Sequence, residues 1–151
     1  MESFENTLTI QRPAAEVFAF LANFENVPRW NYAIAETHKT SPGAVGVGTT
    51  YSQTRSIPAE SEEGFEVTVF EPVKRLAIQG QLGPFQAVMS YQLEAAGSAT
   101  RLTNAVELEP TSALMRVVVP FATNRVRKAI ADNLSQLKAI LEDDGPTGRA
   151  D

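Results

Sequence analysis

The last third of the chain constrains the fold most. From Thr111 to Glu142, the residues Met115, Val119, Ala122, Val126, Ile130, Asn133, Leu137 and Ile140 lie within about 40° of one direction when plotted at about 100° per residue. Arg127, Lys128, Asp132, Gln136 and Lys138 mostly take other directions. This is one long amphipathic helix. At ~1.5 Å per residue it could run roughly 45 Å, enough to cross a whole sheet. Pro120 lies inside it and lacks the N–H that would bond back one turn, so a kink or a split is expected there.

What precedes that helix is almost entirely strand. Ser3–Gln11 alternates Phe4, Asn6, Leu8 and Ile10 against polar neighbours, the pattern of a strand with one buried face. "RPAAEVFAFLANF" follows, with Pro13 suited to a first helical position and Val17, Phe20, Leu21 and Phe24 at helical spacing. The chain then reads as a meander: 33–39, "TTYSQTRSI", "FEVTVFE", "RLAIQGQ", "FQAVMSYQLEA" and "RLTNAVELEP", separated by Gly- and Pro-rich turns. Seven strands with one helix between the first two, closed by a long helix, predict an α+β fold in which an antiparallel sheet covers one face with that helix. Phe85, Ala87, Met89, Tyr91 and Leu93 form one stripe of such a sheet. Leu102, Asn104, Val106 and Leu108 form the matching one.

"NFENVPRWNYAIAETH" (23–38) departs from both patterns. It holds the only tryptophan, the only histidine and one of three tyrosines, although aromatic residues make up 8% of the chain. Pro28 and the asparagines break a helix there, so Phe24, Trp30 and Tyr32 are placed either as a core plug or as the wall of a ligand site.

Several function classes are excluded or disfavoured. The net charge of −5 argues against a nucleic-acid surface, and "RVRK" (125–128) is better read as a solvated helix face. With no cysteine there are no disulfides or thiolate sites; with one histidine, a metal site is not expected, and no cofactor is expected either. "GAVGVG" lacks the strand before and helix after that a phosphate-cradling loop needs, and reads as a hairpin loop. No secretory signal pattern and no apolar run long enough to span a membrane are seen, so a cytoplasmic protein without integral membrane association is expected. Residues 1–142 read as one domain and 143–151 ("DDGPTGRAD") as a disordered tail. A homodimer stays open.

"TLTIQRPAAEVFAFLANFENVPRWNYAI" resembles the opening of the START-like, helix-grip (SRPBCC) superfamily, and within it the polyketide cyclase/dehydrase group. "GVGTTY", "VTVFEPVKRLAI", "ATRLTNAVELEP" and "NLSQLKAILE" resemble its later landmarks. The resemblance implies a curved seven-stranded antiparallel sheet wrapped around the C-terminal helix, with one or two short helices between strands 1 and 2. It also implies a deep cavity between sheet and helix. The cavity candidates are Trp30, Tyr32, Tyr51, Phe85, Met89, Tyr91, Asn104, Val119 and Val126.

No catalytic set is legible. His38 sits in "ETHKTS" and reads as a surface residue. Glu62–Glu63 and Asp143–Asp144 read as solvated pairs. Glu66 and Arg55 read as an exposed cross-strand pair, although the sequence does not settle which face of Tyr51, Gln53 and Arg55 points inward. Three readings follow, in this order: a carrier or binding protein for a small hydrophobic, polyketide- or lipid-like molecule; a cyclase, aromatase or dehydratase using the same cavity; and an interaction module with a filled core. Whether the protein is an enzyme is left undecided. Convergent polar groups in the cavity, one with a perturbed pKa, would favour the second reading; an interior without a void would favour the third.

Overall fold

The computed structural model describes residues 2–143. Its seven strands are β1 (Glu2–Ile10), β2 (Ile34–Lys39), β3 (Thr50–Arg55), β4 (Ser61–Glu71), β5 (Arg75–Leu82), β6 (Phe85–Ala96) and β7 (Ala99–Pro110). They form a single antiparallel sheet in the order β1-β7-β6-β5-β4-β3-β2. Strands β2 to β7 are a plain meander. The first strand pairs with the last, and α1 (Ala14–Ala22), a 3-10 turn (Phe24–Asn26) and α2 (Val27–Trp30) carry the chain from one edge of the sheet to the other. The helix-grip architecture expected from the sequence is the one observed. The expected tail lies outside the described residues except for Asp143, which closes the last helix.

That helix, α3 (Ala113–Asp143), begins where Ser112 caps it: the Ser112 hydroxyl accepts from the Met115 N–H at 3.1 Å. The helix runs through Pro120 without a break, so Pro120 does not split it. Pro120 and Arg116 are both exposed, so water can reach the Arg116 carbonyl that a residue with an N–H would otherwise have bonded. No helix among the described residues is long and apolar enough to cross a membrane.

The C-terminal half of α3 lies over β1 and β7, burying Leu134, Leu137 and Leu141. Its end is held by the residues that follow β1. Arg12 donates through Nε to the Leu141 carbonyl at 2.9 Å, satisfying one of the acceptors a helix terminus leaves open. Glu142 accepts from the Gln11 N–H and from Lys138 Nζ, both at 2.7 Å. The Lys138 hydrogen bond, helped by the Gln11 amide and the Arg12 charge, holds the Glu142 carboxyl below its ordinary pKa. A carboxylate with a lowered folded-state pKa stabilises above its unfolded pKa, and that contribution disappears as pH falls through the lowered value. Acidification through that window is therefore expected to lower the protection factor of the Gln11 amide, the intrinsic exchange rate at each pH divided by the observed one. Glu142→Gln should remove that pH dependence.

The N-terminal part of α3 faces the other half of the sheet across a cavity. On β3 the inner face carries Tyr51, Gln53 and Arg55; on β4 it carries Glu63, Phe65 and Val67. Gly80 on β5 pairs with Phe65 on β4, and the sheet leaves no room there for a side chain. A Cβ there would run into the Gly64 carbonyl and lie 2.6 Å from Phe65 Cα.

Candidate functional site

Between the N-terminal part of α3, α2 and the inner face of β3–β6 lies a cavity of about 550 Å³. Its wall is mostly carbon: Phe65, Ile78, Phe85 and Met89 from the sheet, and Val118 and Val126 from the helix. The alternation of β6 turns Phe85, Ala87, Met89 and Tyr91 into it. Trp30 closes α2 and is both core and wall; Tyr32, just beyond, lines the cavity while remaining largely exposed. The 23–38 stretch thus contributes a plug and a rim.

Three candidates lie elsewhere. Tyr51 does not line the cavity: it stacks on Phe65 at 5.0 Å between ring centroids and takes the edge of Phe24 at 5.1 Å, so the aromatic cluster fills the space around it. Burial, reinforced by the Glu25 charge, raises its pKa. Asn104 pairs in register with Tyr91 but stands one strand nearer β1, where α3 packs down on the sheet; its Nδ2 donates to the Ser90 carbonyl at 3.3 Å. Val119 is packed into the hydrophobic core rather than the chamber. Trp30, Tyr32, Phe85, Met89, Tyr91 and Val126 are brought together around the cavity.

The sequence reading missed the polar centre of the wall. Arg55 is buried rather than exposed, and its partner is Glu63, not Glu66, which faces outward. Glu63, read as half of a solvated pair, accepts from Arg55 Nε and from Arg55 Nη2 at 3.1 Å. It also accepts from Gln53 Nε2 at 3.0 Å and from the Gly83 N–H at 2.8 Å. Such a two-pronged contact fixes the guanidinium plane. Arg55 and Gln53 both line the cavity. The missed signal was the period of two: β4 begins at Ser61, so Glu63 shares a face with Phe65 and Val67.

Two further buried polar residues line the chamber. Asn133 lines it from α3, and its buried Oδ1 has no hydrogen-bond partner among the described residues. Tyr91 lies opposite on β6; burial pushes its hydroxyl well above the ordinary tyrosine range, so it remains a neutral donor. His38 lies on the exposed face of β2, its ring 3.0 Å from Glu36 Oε1, and takes no part. Among the described residues no cluster of His, Cys, Asp or Glu could hold a metal ion.

A helix-gripped apolar chamber of this kind is accompanied by a sequence match to the family model "Polyketide cyclase / dehydrase and lipid transport" over residues 1–142. The chain belongs to this family. Its fold recurs in solved structures of low sequence identity. The Zhui aromatase/cyclase from Streptomyces sp. R1128 is 11% identical, with 99% of each chain covered and a TM-score of 0.81. TTHA0849 from Thermus thermophilus is 14% identical, with 99% of this chain and 100% of that one covered and a TM-score of 0.72. Ara h 8.0201 is 18% identical, with 89% and 98% covered and a TM-score of 0.62. No curated protein matches the sequence at a significant level. Like other members of the family, the chain has a ligand-binding SRPBCC fold.

Proposed function

We propose that the protein binds a small apolar molecule bearing oxygen groups, as a carrier or binding protein, in the chamber between α3 and the sheet. The observation that carries this reading is the buried Arg55, held by Glu63 behind it, in a wall that is mostly carbon. A cavity of about 550 Å³ suits a small organic ligand, and a few placed polar groups orient such a ligand. Arg55 has N–H groups beyond those that hold Glu63, and these suit a carbonyl or carboxylate oxygen. Tyr91 offers a donor and Asn133 an amide.

A second reading, a cyclase- or dehydratase-type enzyme, draws on the same convergence, since Arg55 and Tyr91 could polarise a carbonyl. Enolisation also needs a proton acceptor. Among the described residues no carboxylate or imidazole lines the cavity, Glu63 is engaged by three neighbours, and Tyr91 stays protonated. Binding is therefore the better-supported function.

The test is thermal unfolding against a panel of fatty acids and polyphenols, because a ligand that binds the native state must raise Tm. Asn133→Leu removes a buried polar atom without a partner. It is expected to leave the free protein as stable or up to about 1 kcal/mol more stable, and to weaken the ligand found by about five- to tenfold. If no member of the panel raises Tm, the proposal is wrong.

A further inference from the structure

The cavity accounts for the inner face of α3 and leaves its outer face unexplained. Leu114, Val117 and Phe121 are 70%, 65% and 85% exposed. Their spacing of three and four places them on one side of the first turns. Single exposed apolar residues are ordinary; three on successive turns mark a contact surface. None of the three lines the chamber, but Met115, Val118 and Arg125 on the adjoining face do, so the apolar strip borders the cavity. The chamber wall also includes the exposed side chains of Tyr32 and Ile57.

Charge supplies a second observation. From Thr111 to Ala131 the chain has four basic residues, Arg116, Arg125, Arg127 and Lys128, and no acidic one, in a protein of net charge −5. All four are exposed; Lys128 also has Asp132, one turn on, 3.4 Å away at the surface. A symmetric contact with a second copy would set this patch against itself and oppose like charges. The strip stands on a convex helix and offers no groove to a shaped protein partner. Apolar side chains beside basic ones on one helix suit an anionic lipid surface.

We propose that the N-terminal half of α3 docks on an anionic bilayer, Leu114, Val117 and Phe121 entering the interface while Arg125 and Lys128, on the same side of the helix, meet lipid phosphates. On the reading that the chamber binds an apolar ligand, the docked face brings that chamber to the membrane, so the ligand moves between bilayer and protein with little exposure to water.

Co-sedimentation of the full chain with phosphatidylcholine/phosphatidylglycerol vesicles, against phosphatidylcholine alone, tests this directly. Binding is expected only to the anionic vesicles and should weaken with added salt. The double variant Leu114→Ser/Phe121→Ser should bind about tenfold more weakly. Anilinonaphthalene sulfonate binding, measured without vesicles, reports on the chamber separately and should be the same in both proteins. The docking proposal is overturned if the anionic vesicles leave the chain in the supernatant, or if the serine pair binds them as well as wild type. It is also overturned if the chain dimerises through this face, as shown by sedimentation velocity in which the serine pair is monomeric. Binding to polyglutamate that matches vesicle binding and ignores the serine pair would reassign the surface to an acidic protein and overturn the lipid proposal. Probe binding without vesicle binding leaves the cavity reading standing; vesicle binding without probe binding sinks the cavity reading alone.

Discussion

Glu63→Leu is expected to destabilise the protein by about 3–5 kcal/mol, because it strands a buried cation. A buried guanidinium left without its partner is not relieved by neutralisation, as a lysine could be. The Arg55 side chain is 9% exposed and that of Glu63 is 0% exposed, so neither can turn to water without opening the sheet. The carboxylate also accepts from Gln53 and the Gly83 N–H, and both lose their acceptor in the variant. Urea denaturation with an unchanged m-value would measure the loss.

The companion variant Arg55→Met/Glu63→Leu separates cost from use. Replacing a buried ion pair by apolar residues of similar size is often neutral or stabilising, so the double variant should recover most of the loss. A pair kept only for stability would then be dispensable. If Arg55 anchors a ligand oxygen, the double variant should fold well and bind the ligand more weakly by about tenfold or more, the value of a charge-assisted hydrogen bond. Equal binding by a well-folded double variant would remove Arg55 from the site.

The contrast between what alternation revealed and what it hid lies in this pair. Strand β6 runs cleanly from Phe85 to Leu93, and α3 repeats its apolar spacing over many turns, so both inner faces were legible in the residues alone. Strand β4 begins in "SEE", a polar stretch that looks like a turn. Its inward position is set by pairing with β3, where Gln53 meets Glu63 in register. That pairing is long-range information, and without it the carboxylate reads as solvated. Tyr51 failed for a related reason. Its inward face was one of two options, but the stack with Phe65 depends on how β4 lies beside β3. Asn104 and Val119 point inward too. Asn104 misses the chamber because the C-terminal half of α3 packs down on β1 and β7, and no local pattern encodes where a helix leaves a sheet; Val119 is buried in the core instead of lining the chamber.

Trp30→Ala is expected to cost about 3–5 kcal/mol, the range for truncating a large buried aromatic. Trp30 is 8% exposed and belongs to the core cluster with Leu21, Phe24 and Val27, the residues that join α1 and α2 to the sheet. It also lines the chamber, so truncation enlarges an existing space instead of creating an isolated void. That puts the loss toward the lower end of the range, because the indole already faces open space on one side and makes fewer packing contacts to lose. Tyr32→Ala makes the control. Tyr32 lines the same chamber but is 61% exposed, so its truncation should change stability by less than about 0.5 kcal/mol. A ligand that touches both residues should bind more weakly to each variant once the fraction folded is accounted for. A Trp30→Ala protein as stable as wild type would show that the indole is wall alone, and that the α1–α2 segment is held by Phe24 and Val27 without it.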